Sequence, residues 1–340
     1  MTSPVDPGSS SRREWLRGAL ATTAALPLAG GDGHAADAAA AVRGGFSQEG
    51  HRIRLYSSAI ANPVKLLFAA DTHLSRDDAR GEHFREYSGR MAKGYRQTRH
   101  FLTDATTDPE TCFVETLGIA KNESADAVIL AGDLLSFPSE AAIDWTLARL
   151  GEAGLPWHYT AGNHDWHYEG LPGSSAELRQ TWIEKRLEPL YGGRDPMMSA
   201  FSTGGVKVLL LDNSTYEITA EQLDFFRRET AGDQPVILCV HIPLYAPGRP
   251  VGYGCGHPEW GAATDKNHAI ERRPVWRERH SETTMAFHRE VFATTNLLGI
   301  FAGHIHQLST DVLNGLPQVV AGANATGAHL IIEVLPVAVG

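Results

Sequence analysis

Short apolar runs recur along this chain at residues 64–70 (VKLLFAA), 126–131 (DAVILA), 156–161, 206–211 (VKVLLL), 236–240 (VILCV) and 297–302. They do not alternate apolar with polar residues, so each reads as a strand buried on both faces. Between them, residues 110–121, 139–153, 174–187 and 219–229 repeat apolar positions at threes and fours, the period of an amphipathic helix. Ser139 stands as an N-cap before Glu140, and Thr219 with Gln222 has the spacing of a capping box. Strand and helix alternate, which predicts an α/β fold. Residues 309–335 differ. They hold three short strand-like pieces with turns at Asn314-Gly315 and near 322–327, which predicts a closing antiparallel meander.

Two stretches break the pattern. Residues 75–109 are polar and carry seven basic side chains: Arg76, Arg80, Arg85, Arg90, Lys93, Arg96 and Arg99. Acidic Asp77, Asp78, Glu82 and Glu86 are interspersed, so the segment suits either an anion-binding surface or a solvated, charge-mixed loop. Residues 244–282 are rich in Gly, Pro, Trp and charge. There Tyr245, Tyr253, Trp260 and Trp276 would stack a substrate ring or form a small core under a long loop. Connections this long in a compact domain are functional or disordered.

The amino terminus reads as an export signal. Arg12-Arg13 precede the apolar stretch from Leu16 to Leu28, and Ala36-Asp37-Ala38 offers a small-x-small cleavage site. The stretch is too short for a permanent membrane span. Residues 1–40 are therefore expected to be a twin-arginine-like signal and linker that engages export machinery, with residues 41–340 forming one domain carrying inserts at 75–109 and 244–282. The expected location is periplasmic or extracellular.

The 340 residues are 42% hydrophobic and 21% charged, with a formal charge of −10. Without the first 38 residues the balance is 27 basic against 36 acidic, still −9. Such a field repels phosphate backbones, so nucleic acid is not an expected partner. Cys112, Cys239 and Cys255 match no zinc spacing. Cys239 sits in an apolar run, and Cys112 and Cys255 would be free to pair in an oxidising compartment.

Candidate chemistry stands just after the predicted strands. Asp71-Thr72-His73 follows the first, Gly132-Asp133 the second and Gly162-Asn163-His164-Asp165 the third. His241 and then Gly303-His304-Ile305-His306 follow the fifth and sixth. In an extended chain, i and i+2 project to one side, so Asp71 and His73 would reach one ion. Asn163 and His164 are adjacent and diverge, which suits a metal-binding amide and a substrate-facing imidazole. Asp165 is placed to hydrogen-bond His164 and raise its proton affinity. Taken singly, Asp-x-His also suits a solvated turn, Asn-His-Asp an Asx turn and a lone His a structural role. Histidine is the commonest metal ligand, and the chain holds 16.

The ordered set Asp-x-His, Gly-Asp, Gly-Asn-His-Asp, His, Gly-His-x-His resembles the calcineurin-like metallophosphoesterases, over residues 64 to 335. The resemblance implies a four-layer αββα sandwich. It implies that Asp71, His73, Asp133 and His306 hold one metal ion. It further implies that Asp133, Asn163, His241 and His304 hold a second, with Asp133 bridging. Oxygen and imidazole donors without thiolate suit Mn, Fe, Zn, Co or Ni. The implied reaction is phosphoester hydrolysis by a metal-bound hydroxide, with His164 protonating the leaving group. The substrate would be a small phosphomonoester or phosphodiester, a cyclic nucleotide or phospholipid head group among the diesters. A scaffold protein on the same fold is the non-enzymatic alternative. Purple acid phosphatases carry a tyrosine ligand soon after Gly-Asp, whereas this chain reads Gly132-Asp133-Leu134-Leu135-Ser136.

Overall fold

The computed structural model describes residues 42–249, 254–258 and 279–337. Residues 1–40, read as signal and linker, lie outside the described residues, as do Tyr253, Trp260 and Trp276.

The chain enters through β1 (Arg43–Glu49), β2 (Arg52–Ser57) and β3 (Val64–Ala69), then α1 (Arg85–Gly94) and the short pair β4 (Thr98–Arg99) and β5 (Thr106–Thr107). Next come α2 (Pro109–Asn122), β6 (Ala127–Ala131), α3 (Glu140–Ala153), β7 (Trp157–Thr160), α4 (Ser175–Trp182) and α5 (Glu188–Tyr191). The second half runs β8 (Met198–Thr203), β9 (Val206–Leu211), α6 (Ala220–Glu229), β10 (Val236–Val240), α7 (Glu282–Ala293) and β11 (Leu297–Ala302). It closes with β12 (Ser309–Leu313), β13 (Leu316–Val320) and β14 (Leu330–Pro336).

Two six-stranded sheets result. One has the order β1-β2-β14-β3-β6-β7, the other β12-β13-β11-β10-β9-β8. Five of the six unalternating apolar runs are interior strands, β3, β6, β9, β10 and β11, whereas 156–161 forms β7 at an edge, with Trp157 and His158 only half-buried. On β3, Val64, Leu66 and Phe68 face the second sheet while Leu67 and Ala69 face a helical layer. On β9, Val206, Val208 and Leu210 face the first sheet while Leu209 and Leu211 face the other helical layer. Strand side chains alternate in direction, so a run apolar at every position is covered on both sides. Residues of α2, α3 and α4 pack on the first sheet. Those of α6 and α7 pack on the second. The layers are therefore αββα.

Local signals place the helices. Ser139 caps α3, with its Oγ accepting from the Ala142 N–H. Capping boxes at Ser174/Glu177 and Thr219/Gln222 open α4 and α6. A single π-type turn, Ile183–Leu187, joins α4 to α5.

Some expectations fail. The closing segment is not one meander: β12 and β13 form a hairpin in the second sheet, while β14 crosses to the first. There β14 runs parallel to β2 and antiparallel to β3. Its Leu330, Ile332 and Val334 fill the layer between the sheets, an apolar demand the local turn signals do not carry. Residues 75–109 are not structureless, because they hold a 3-10 turn (Ala79–Phe84), α1 and the β4–β5 pair. Phe84 stacks on Tyr168 at 5.0 Å and meets Trp182 edge-on, which anchors the segment to the main body. The strands β1, β2 and β8 and the helix α7 are additions to the sequence reading. Cys112, Cys239 and Cys255 are buried free thiols, so Cys112 and Cys255 do not pair.

Candidate metal centre

Each predicted site residue stands in a loop leaving the carboxyl end of a strand, where open α/β sheets collect ligands. The Asp71 and Asp133 loops extend the pairing of β3 with β6. The Asp71 N–H donates to the Gly132 carbonyl at 3.0 Å, and the His73 N–H to the Asp133 carbonyl at 2.9 Å. The Gly303 N–H likewise bonds the His241 carbonyl at 2.9 Å. Glycines permit this closeness. A Cβ on Gly132, whose φ is +84°, would lie 2.5 Å from His241 Nδ1, and one on Gly162 would lie 2.3 Å from Asp133 Oδ1.

The backbone is strained where the candidates sit. Among the described residues nine non-glycines have positive φ, and five of them are Asp71, His73, Asp133, His304 and His306. Left-handed backbone costs an ordinary residue on the order of 1–2 kcal/mol, and such outliers cluster at functional sites. This corrects one expectation: Asp71 (φ 59°) and His73 (φ 54°) meet through left-handed turns, not through an extended i, i+2 register.

The side chains converge on two places. Donor atoms of Asp71, His73, Asp133 and His306 lie within 4.8 Å of one another, and so do those of Asp133, His241 and His304. Asp133 belongs to both sets. Its Oδ1 accepts the His164 backbone N–H at 2.7 Å. Its Oδ2 lies 3.3 Å from His241 Nε2 and 4.0 Å from His73 Nε2. One carboxylate oxygen thus faces both clusters. Asn163 Oδ1 joins the second set, 3.2 Å from His241 Nε2. Asp71 accepts the His304 N–H through Oδ2 at 2.8 Å and turns Oδ1 toward His306 Nε2 at 3.3 Å.

This donor set suits cations. Asp71 Oδ1 is buried without a hydrogen-bond partner. His73 Nε2 and His306 Nε2 face each other at 3.0 Å, two ring nitrogens directed at one point. Burial, joined by neighbouring imidazolium charge, pushes His73 and His304 well below the ordinary histidine range. Burial opposes ionisation of Asp133 too, yet His241, His164 and His73 outweigh it and hold the carboxyl well below its usual range. Burial likewise opposes the charge on His241, but Asp133 raises it to about 10. Asp133 stays anionic beside two imidazoles that resist protonation, His73 and His304, and two whose protonated form the carboxylates favour, His241 and His306, so a divalent ion would replace protons there.

Partners outside the donor set hold it in place, and sequence reasoning missed them. The Asn213 side chain donates to the Ile242 carbonyl at 2.7 Å and accepts the Ile242 N–H at 2.9 Å. Gln318 does the same for Leu244, at 2.9 and 2.7 Å. Two buried amides therefore clamp the His241 loop as adjacent strands would. Tyr216 OH meets His304 Nε2 at 2.5 Å, which leaves Nδ1 for the centre. His241 Nδ1 bonds the Ala131 carbonyl at 2.9 Å. Asn324 is also buried. It accepts from Thr72 Oγ1 at 3.1 Å, and its N–H donates to the Ala70 carbonyl at 2.8 Å. No local sequence pattern marks Asn213, Gln318 or Asn324, because each acts across more than 25 residues of separation.

His164 is half-buried at the edge of the first cluster, while Asn163 and Asp165 are buried. Its ring meets His73 edge-on at 4.9 Å, and its Nδ1 lies 3.4 Å from the Ser136 carbonyl. The expected Asp165–His164 bond is absent. Both Asp165 oxygens accept backbone N–H groups, Oδ1 from Leu135 at 2.8 Å and Oδ2 from Gly162 at 2.7 Å. Asp165 pins the Asp133 and Asn163 loops together instead of orienting the His164 ring. Burial and the nearby Asp133 push its carboxyl up to about 7.

Four of the seven basic residues of 75–109 are held in ion pairs, Arg99 loosely with Asp104 at 3.9 Å. Arg76 pairs with Glu110 at 2.6 Å, and Arg80 with Asp78 and Asp144 at 2.6 and 2.9 Å. Arg90 pairs with Glu169. The site residue that this segment contributes is Tyr95, stacked on His73 with ring centroids 4.0 Å apart.

The sequence model of the calcineurin-like phosphoesterases matches residues 64–308. The chain belongs to that family. It is thus a metallophosphoesterase by descent, in a family of phosphoric ester hydrolases. A curated relative from Psychrobacter arcticus, named a probable cyclic nucleotide phosphodiesterase, is 24% identical over 200 residues. The alignment covers 56% of this chain and spans about three-fifths (61%) of that relative's length. Among solved structures, a dimetal phosphatase from Danio rerio is similar at TM-score 0.48 and 13% identity, covering 78% of this chain and 89% of that one. A purple acid phosphatase from yellow lupin (Lupinus luteus) seeds gives 0.46 and 13%, covering 82% and 48%. Among the described residues of this metallophosphoesterase, no helix is long and apolar enough to cross a membrane.

Proposed function

We infer that this protein hydrolyses small phosphoric esters at a two-ion centre. One observation carries the reading: Asp133 Oδ2 faces both donor clusters, with Asp71, His73 and His306 on one side and Asn163, His241 and His304 on the other. Two bound ions would activate water near neutral pH and neutralise charge on the phosphoryl oxygens. The chain's residues do the rest. Asp133 sets the spacing of the clusters. His164, held through its backbone N–H by Asp133, offers its half-buried ring as proton donor to the leaving oxygen. Asp165 fixes the loops that carry Asn163 and Asp133.

For substrate, we favour a phosphodiester. The support is the printed name of the Psychrobacter relative, a probable cyclic nucleotide phosphodiesterase. The test is a panel of p-nitrophenyl phosphate, bis-p-nitrophenyl phosphate, cyclic nucleotides and phospholipid head groups, each with Mn, Fe, Zn, Co or Ni. A diester reading expects the diesters to lead in kcat/KM, and a preference for monoesters would overturn it. Inertness toward the whole panel with two ions bound would favour a scaffold role. We also assign an export role to residues 1–40, on the strength of Arg12-Arg13 and the apolar stretch after them. Replacing both arginines with lysine should stop export, and continued export would contradict the assignment.

A further inference from the structure

Four imidazoles face the two clusters, and a metal-bound imidazole needs its other nitrogen and its ring plane held. Three of the four have a hydrogen-bond partner behind them. His241 Nδ1 has the Ala131 carbonyl at 2.9 Å, and His304 Nε2 has the Tyr216 hydroxyl at 2.5 Å. His306 Nδ1 has the Tyr95 hydroxyl at 3.3 Å. The fourth, His73, has none: its Nδ1 is buried without a partner. What covers His73 is the face of Tyr95, parallel to within 8° at a centroid separation of 4.0 Å. The same phenol ring stands edge-on to His306, 5.6 Å away.

We propose that Tyr95 is a positioning residue for the ion held by Asp71, His73, Asp133 and His306, fixing two of its four ligands at once. The hydroxyl sets the rotation of His306, and the ring face sets the plane of His73. The proposal rests on the two-ion reading above and adds to it that the 75–109 segment completes the centre. Tyr95 follows directly on α1, and its neighbours Gly94 and Arg96 are exposed whereas Tyr95 is half-buried. The helix is fixed in turn by Phe84, Tyr87 and Met91 packing on the core. When His306 turns Nε2 to the cation and keeps its proton on Nδ1, the Tyr95 oxygen accepts that N–H. The stack on His73 needs no proton.

The test uses the full chain and Mn²⁺ titration by calorimetry, with p-nitrophenyl ester kinetics alongside. Tyr95→Phe keeps the ring and removes the hydroxyl. Tyr95→Ala removes both, and His306→Ala serves as the control that empties the same cluster. The expected result is two Mn²⁺ per chain in the wild type, with one of the two weakened ~3–10-fold in Tyr95→Phe and ~10–100-fold in Tyr95→Ala. The other ion should keep its affinity. If both Tyr95 variants bind two ions with wild-type affinity and only KM moves, Tyr95 is a wall of the substrate pocket and the proposal is wrong. If His306→Ala also leaves both ions unchanged, the two-ion reading itself fails. Should Tyr95→Ala not fold, Tyr95→Phe decides alone: weakening of one ion supports the proposal, and unchanged binding overturns it.

Discussion

The two donor clusters share Asp133 but are built differently. The second, with Asn163, His241 and His304, is braced by elements of the main α/β body. Asn213 and Gln318 clamp its loop, and Ala131 and Tyr216 back its imidazoles. The first, with Asp71, His73 and His306, opens outward: the His306 side chain is 31% exposed while that of His241 is 0% exposed. Its outer side is closed by Tyr95 from the 75–109 segment. One donor cluster is braced by the sheet scaffold, and the other is closed by a side chain from the 75–109 segment. Substitutions in that segment are expected to tune one ion and spare the other.

The shared residue should have the largest effect. Asp133→Asn removes charge from both clusters and is expected to abolish stable binding of both ions and nearly all turnover. Metal analysis of the dialysed variant checks this, and retention of either ion would separate the clusters. His164→Ala should leave both ions in place and lower kcat by ~10²–10⁴-fold, most for poor leaving groups. Metal loss in that variant would move His164 into the donor set.

Asn213→Ala should discriminate between the clusters. It orphans the Ile242 N–H and carbonyl, at a cost of about 1–3 kcal/mol each when buried. The His241-side ion should weaken and the His306-side ion should not. Equal weakening of both would show that the clusters do not act separately.

The scaffold joining the clusters carries a pH signature of its own. His158 on β7 stacks on Phe201 of β8 at 3.6 Å, bridging the edges of the two sheets. Burial, and then Arg194, lowers it to about 4 from an ordinary 6.5. Between those values the unfolded chain takes a proton that the folded chain refuses, so stability is present above 6.5 and lost as pH falls toward 4. His158→Phe should flatten the fall of Tm over that window, and an unchanged slope would contradict the assignment. The smallest effect belongs to Arg80, whose partners Asp78 and Asp144 are exposed. Arg80→Ala should move neither KM nor Tm measurably. A large KM rise would support the anion-binding reading of 75–109.

Much of this was legible in the sequence, for identifiable reasons. Central strands such as β3 and β9 show as unbroken apolar runs because both faces are covered. Caps at Ser139 and Thr219 show because they act within three residues. The donor types show because each follows a strand end at short spacing. The losses have the opposite character. Asn213, Gln318, Tyr95 and Asn324 act across long separations, and nothing near them in the chain announces a role. Asp165 stands beside His164 in sequence but bonds backbone instead, because a turn between two loops has N–H groups to satisfy. The destination of β14 depends on the gap between β2 and β3, which no local pattern encodes.

A two-ion centre joined by Asp133 makes both ions depend on one carboxylate. Equilibrium dialysis against Mn²⁺ with elemental analysis, on the wild type and Asp133→Asn side by side, tests it most directly. Two ions per chain are expected in the wild type and none retained in the variant. One ion in the wild type, or two in Asp133→Asn, would contradict it.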